Sequence, residues 1–268
     1  MFKYAVLLSY VGTRYCGWQK QKGSAADGAP SIQETIEKAL GKITSEEFSL
    51  VGSGRTDSGV HSVGQVAHFI LKKKSWDPDI IMRGLNSLLS TDIRVQAIKR
   101  VPIEFHAQKS TVKKQYSYLF QQGPCALPHL EPYSWWIRKK LDLEGIQVAL
   151  DHLVGKHDFK PFQASGSKPG PTVREIFEAK VTLEPISIPG SPHTADFGLV
   201  RVRIVGSGFL KQMVRGISGT LLQIGENRRD PDDMRKILES CDRSQVGPTA
   251  PARALWQEQI WYSDLRFI

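Results

Sequence analysis

The chain has 268 residues, 40% of them hydrophobic and 24% charged, which is a globular composition long enough to bury a core without staples. Its three cysteines, Cys16, Cys125 and Cys241, are odd in number and far apart, which argues against a disulfide framework and against a CxxC zinc site. The net charge of +9 favours polyanion partners, because each neutralised phosphate releases counterions.

The basic residues cluster at Lys72-Lys73-Lys74, Lys113-Lys114, Arg138-Lys139-Lys140 and Arg228-Arg229. Such clusters suit a nucleic-acid surface, and they also suit a solvated face. No apolar run approaches the ~18 residues of a membrane span. The opening "MFKYAVLLSYVG" is too short for a signal peptide. A soluble, cytoplasmic protein with no membrane partner is the expectation.

In chain order, "YAVLLSYV" reads as a buried strand closed by Gly12. "SIQETIEKALGKI" reads as a helix that Ser31 caps, with Glu34 completing a capping box and Ile32, Ile36, Ala39, Leu40 and Ile43 on one face. "FSLVGS" and "GQVAHFIL" read as strands, "PDIIMRGLNSLL" as a helix and "IRVQAIKRV" as a strand. The order strand–helix–strand–strand–helix–strand is that of a split βαβ, or ferredoxin-like, unit.

A second, less regular round follows. "KQYSYLFQ" is a strand, "LEGIQVALDHLVG" a helix ended by Gly155, and "EIFEAKVTLEPI" and "FGLVRVRIVGS" are strands. "FLKQMVRGISGTLLQIG" and "DPDDMRKILESC" are helices, and "QEQIWYSDLRF" closes as a strand. The segments "QQGPCALPHLEP", "ASGSKPGPTV" and "PISIPGSPH" read as loops. The expected class is α/β (α+β), with one half over 1–104 and the other over 105–268.

The stretch "VGSGRTDSGVHS", Val51–Ser62, joins two of these strands. Its glycines suggest a phosphate loop, but Asp57 stands where the dinucleotide fingerprint needs a third glycine, and no Gly-Lys-Ser/Thr follows. Asp57-Ser58-Gly59 resembles an aspartic-protease triplet, but the chain has no second one to share a proton. A homodimer could supply it, but the residues before the aspartate would then be apolar and here are Arg55-Thr56, so this reading ranks third. The seven histidines form no HExxH, so no metal is expected.

Asp57 can be a turn aspartate that bonds its own backbone. It can also be a reacting carboxylate. The glycines would let a bulky ligand approach. Arg55 or another cation would keep it ionised.

Arg215 lies among Met213, Val214, Gly216 and Ile217. It either snorkels to water or is partly buried against an anion, for which Asp57 is the candidate. Tyr116 and Tyr118 alternate on a strand and share a face. They are core aromatics, or a platform for a base drawn out of an RNA helix.

With these residues in view, the chain resembles the bacterial tRNA pseudouridine synthase A family. The matching stretches include "YVGTRYCGWQKQ", "SIQETIEKAL", "GSGRTDSGVHSVGQVAHF", "LNSLLSTDI", "FHAQKSTVKKQYSYLF", "FLKQMVRGISGTLLQIG" and "GPTAPARALW", in family order across nearly the whole chain. The resemblance implies two ferredoxin-like halves forming one mostly antiparallel sheet with helices on one face. It implies isomerisation of uridine to pseudouridine at positions 38, 39 and 40 of the tRNA anticodon stem-loop, without a cofactor, by a homodimer.

It also implies roles for particular residues. Asp57 matches the catalytic aspartate, as nucleophile or base, and Arg215 matches its ion partner. Tyr116 matches the tyrosine that packs on the target base, and Arg55 the arginine that fills the gap left by the flipped nucleotide. Arg14, His61, Phe105, His106 and Lys114 fall at expected substrate contacts. Val11, Cys16, Ser58, Gln108 and Lys109 depart from the family pattern. Gln108 and Lys109 lie in an RNA-contacting stretch, so the same chemistry on another tRNA or ribosomal uridine, or a non-catalytic tRNA-binding or folding role, stays open.

Overall fold

A first strand buried along most of its length sets the architecture of the computed structural model, which describes residues 1–20, 28–186 and 197–267. The order is β1 (Phe2–Tyr10), α1 (Ile32–Thr44), β2 (Val51–Gly52), β3 (His61–Leu71), α2 (Pro78–Leu88), β4 (Ile93–Val101) and β5 (Thr111–Gln122). Then come β6 (Trp135–Ile137), α3 (Leu143–Asp151), β7 (Gly155–Asp158), β8 (Val173–Pro185), β9 (Gly198–Gly206), α4 (Met213–Gly225), α5 (Asp233–Ser240) and β10 (Leu255–Tyr262). The fold is mixed α/β, with mostly antiparallel strand pairing. Of the loop expected at "PISIPGSPH", residues 187–193 lie outside the described residues.

Two units can be distinguished: Met1–Lys114 with Trp256–Ile268, and Gln115–Leu255. The division differs from the one expected at 104/105. It falls inside β5, and the last strand returns to the first unit, because Trp256 and Gln257 pair in parallel with His61 and Ser62 of β3.

In the first unit the strand order is β4-β1-β3-β10, with β2 on β3. Leu7 faces Val66 across β1 and β3, and Val6 faces Ile98 across β1 and β4, both antiparallel. A strand turns successive side chains to opposite faces. Tyr4, Val6, Leu8 and Tyr10 therefore join Ala67, Phe69 and Leu71 under Ile32, Ile36 and Leu40 of α1 and Ile81 and Leu85 of α2. Leu7 and Val66 turn the other way, toward Ala107, Ile260 and Tyr262.

Ser31 caps α1 by accepting from the Glu34 N–H at 3.1 Å. The Glu34 carboxylate, expected to complete a capping box, pairs with Lys38 one turn on. Asp77 caps α2 through the Asp79 N–H.

In the second unit the order is β5-β9-β8-β7, with β6 parallel to β5. Val181 faces Val202 across antiparallel β8 and β9. The three-residue β6 and four-residue β7 carry too little alternation to be read from sequence. Helix α4 starts at Met213, later than its apolar pattern suggests, because Gln212 adopts a left-handed φ of 61°. Its glycines serve close packing: a Cβ on Gly219 would collide with the Pro248 carbonyl oxygen.

Candidate active site

The loop carrying Asp57 is fixed from both ends by the first unit. Upstream, the Ser53 hydroxyl donates to Gln65 Oε1 at 2.6 Å, Gln65 Nε2 donates to the Gly54 carbonyl at 3.0 Å, and Lys114 Nζ donates to the Ser53 carbonyl at 2.6 Å. Gly52 lies under Trp18, where a Cβ would sit 2.6 Å from the indole. Downstream, the Val60 N–H closes a turn on the Asp57 carbonyl at 3.2 Å.

The segment Gly12–Trp18 forms the floor beneath Asp57. Gly17 has a φ of +102°, and a Cβ there would lie 2.7 Å from the Thr56 oxygen and 3.1 Å from the Asp57 carbonyl carbon. Only glycine allows both that angle and that approach. The Trp18 N–H donates to the Thr56 carbonyl at 3.1 Å, and the Ser58 hydroxyl donates to the Tyr15 carbonyl at 3.0 Å. The buried Tyr10 hydroxyl meets the Thr56 hydroxyl at 2.8 Å. The same segment caps α1, whose Ile32 and Gln33 N–H groups donate to the Gly17 and Trp18 carbonyls.

On this frame Asp57 is half-buried and Arg55 is exposed. Lys114 reaches the loop backbone directly. Arg14 is exposed and bound to Asp92, with Nε at 2.9 Å and Nη2 at 2.6 Å from one carboxylate oxygen.

His61 differs from the expectation of a substrate contact. It is fully buried, its Nδ1 accepts from the Gly12 N–H at 3.1 Å, and its ring packs on Trp256 at 4.5 Å. A ring enclosed in this way belongs to the frame behind the loop.

Phe105 and His106 are half-buried. Phe105 packs on Tyr262 at 5.1 Å. His106 Nδ1 accepts from the Gln108 and Lys109 N–H groups at 3.2 and 3.3 Å, which leaves Gln108 and Lys109 exposed. Lys3, almost buried, donates to the Phe105 carbonyl at 2.6 Å and to the Ile103 carbonyl. Beneath this loop, His68 is pushed down to about 4, by burial first and then by the Lys3 charge and His106. Its Nδ1 accepts from the Ala107 N–H at 3.1 Å, as a neutral imidazole can.

In the second unit, Tyr116 and Tyr118 are both buried. Tyr116 meets Phe209 edge-on at 4.9 Å, and the Tyr118 hydroxyl donates to the Pro251 carbonyl at 2.9 Å. Burial pushes the Tyr118 phenol well above its ordinary value. Arg215 is half-buried on α4, with Nε donating to the Ala250 carbonyl at 2.7 Å and its own carbonyl accepting from the Ala250 N–H.

Sequence reasoning passed over Tyr10, Thr56 and Asp92. Tyr10 carries no signal beyond a core aromatic at a strand end. Asp92, in "LNSLLSTDI", had a signal in an arginine and a tyrosine a strand away, but their meeting depends on β1 pairing with β4. No cluster of histidine, cysteine and carboxylate side chains among the described residues suits a metal ion. No helix among them is long and apolar enough to cross a membrane.

Fold and loop together define a class: a basic, mixed α/β protein that presents one half-buried carboxylate on a backbone clamped from several sides. The comparisons name the family. The model of a family described as tRNA pseudouridine synthase matches residues 6–108 and 149–263. A tRNA pseudouridine synthase A of Bdellovibrio bacteriovorus is 39% identical over 260 residues, covering 95% of this chain and 93% of the relative. One from Ruminiclostridium cellulolyticum is 37% identical over 262 residues, covering 98% and 100%, and one from a Thermoanaerobacter species is 37% identical over 257 residues, covering 96% and 98%. The chain belongs to the tRNA pseudouridine synthase family.

Proposed function

We propose that the chain isomerises uridine to pseudouridine at positions 38, 39 and 40 of the tRNA anticodon stem-loop, with Asp57 as the catalytic carboxylate. The observation that carries this reading is the agreement between near full-length family membership and the clamped loop on which Asp57 stands.

The reaction breaks the bond from ribose C1′ to uracil N1 and forms one from C1′ to C5. N1 gains a proton and C5 loses one, so atoms balance without a cofactor. A carboxylate serves in either of two ways. It attacks C1′ as a nucleophile, or it takes the C2′ proton so that uracil leaves through a glycal. Both routes need the detached uracil to be held, turned and rejoined away from water.

On this reading Arg215 is the ion partner of Asp57. Tyr116 packs on the target base, and Arg55 fills the gap it leaves. Arg14, Lys114 and the loop of Phe105 and His106 contact the RNA. The reading carries a homodimer that takes one tRNA across both subunits, acting in the cytoplasm.

The test is a pseudouridine map of tRNA from a strain lacking the protein, complemented with wild type or Asp57→Asn. Wild type restores the modification at 38, 39 and 40, and Asp57→Asn does not while still binding tRNA. Normal turnover by Asp57→Asn overturns the role of Asp57. Loss at another uridine overturns the positions and points to Gln108 and Lys109, both exposed, as the source of a different choice.

A further inference from the structure

Arg14 is an unusual surface arginine. Its side chain is 71% exposed, yet it is tied to a carboxylate that is only 12% exposed. Asp92 is the meeting point of several donors. One carboxylate oxygen takes Arg14 Nε and Nη2, and the other takes the Tyr15 hydroxyl at 2.8 Å and the Ser90 hydroxyl. The Asp92 main-chain carbonyl accepts from the Val11 N–H at 2.9 Å. Burial pushes the Asp92 carboxyl up, but the bonds from Ser90, Arg14 and Tyr15 outweigh it and hold it below the ordinary carboxylate range. It therefore stays ionised at neutral pH.

A guanidinium carries five N–H donors. Asp92 uses Nε–H and one hydrogen of Nη2, which leaves Nη1 and the other Nη2 hydrogen on the exposed side. Arg14 also sits between two glycines that touch the Asp57 loop: Gly12 presses on the Val60 carbonyl, and Gly17 underlies Thr56, Asp57 and Ser58. The backbone segment that carries Arg14 is thus packed against that loop at both ends.

An ordinary exposed ion pair is worth only about 0–1 kcal/mol and loses side-chain entropy. Stability is therefore a weak reason for the exposed Arg14 to join the Tyr15 and Ser90 donors at Asp92. Holding the arginine beforehand lowers the ordering cost when a ligand arrives. The planar fork suits two oxygens of a phosphate.

We propose that Asp92 is a positioning residue that holds Arg14 to take a backbone phosphate of the RNA substrate beside the Asp57 loop. The inference rests on the reading of the substrate as RNA.

It makes a prediction of opposite sign to simple electrostatics. Removing a negative charge from a protein should tighten its hold on RNA. If Asp92 orders Arg14, removing that charge weakens binding instead.

The experiment measures binding of an unmodified tRNA transcript across a salt series, with steady-state pseudouridine formation, for wild type, Arg14→Ala, Asp92→Asn and the double variant. Arg14→Ala and Asp92→Asn should each raise Kd roughly three- to tenfold near 0.1 M salt and lower the slope of log K against log salt by about one. The double variant should be no weaker than Arg14→Ala alone. The loss should fall on KM more than on kcat.

Tighter or unchanged binding by Asp92→Asn overturns the proposal, as does an additive double variant. Should Asp92→Asn unfold, Arg14→Ala decides: an exposed side chain can be trimmed safely, and an unchanged salt slope overturns the proposal. Failure of the functional reading looks different. If wild type binds tRNA with the expected slopes but makes no pseudouridine, the reaction is wrong and the binding inference stands.

Discussion

The hydroxyls of Tyr10 and Thr56 lie 2.8 Å apart in the interior, one residue before Asp57. Tyr10 ends β1 and is 3% exposed, so the first strand sets the backbone from which the proposed catalytic carboxylate projects. Tyr10→Phe removes one oxygen and keeps the ring that packs near Trp18. The lost bond should cost about 0.5–1.5 kcal/mol of stability. A small misplacement of a reacting group is costly, so kcat should fall on the order of tenfold while KM for tRNA changes little. Kinetics of Tyr10→Phe and Thr56→Val check this, and a wild-type kcat in both would remove the pair from any positioning role.

Gly219 offers a test in the second unit. In an isolated helix, glycine to alanine gains about 1 kcal/mol. In α4 the added methyl meets the Pro248 carbonyl, which is backbone and cannot turn aside. Overpacking typically costs about 1–3 kcal/mol, so the clash should win and Gly219→Ala should melt lower than wild type. Thermal unfolding reads the sign directly, and a raised Tm would show that α4 is not held against Pro248. The helix also carries Arg215, so a drop in activity is expected with the drop in Tm.

His68 should make stability depend on pH. The unfolded imidazole takes up a proton near ~6.5, the folded one only at about 4. Between these values the unfolded chain binds more protons. The stability linked to His68 is therefore complete above about 6.5 and is lost as pH falls toward about 4. The charged and titratable neighbours, Lys3 and His106, act in the same direction. His68→Gln keeps an acceptor for the Ala107 N–H but has no proton to bind in this range. Tm measured between pH 7.5 and 4.5 should fall more steeply for wild type than for the variant; equal slopes would count against the buried, neutral imidazole.

Much of the fold was legible because apolar residues repeat with the periods of strand and helix. The strand expected at "IRVQAIKRV" and β4 coincide, and Ser31 caps α1 as its sequence suggests. The short β6 and β7 were not legible, since three or four residues cannot display a period. The apolar pattern of α4 extends back through Phe209 and Leu210, while the left-handed turn at Gln212 that delays the helix has no side-chain signature.

The site shows the same split. Asp57 was conspicuous because a carboxylate among glycines has no use in a core, whereas the close approaches of Gly12 and Gly17 to its loop show only in the structure. The resemblance places His61 at a substrate contact, yet β3 carries it inward against Trp256.

What the sequence by itself determined was local: which segments become strands and helices, which residue types carry chemistry, and the family, since these are written in spacing and composition. What only the tertiary structure decided was which distant residues meet. Tyr10 reaches Thr56, Asp92 gathers Arg14 and Tyr15, and Trp256 returns to β3. Those meetings follow from strand register and from the closeness that glycine permits, and both are set by the packing of the whole chain.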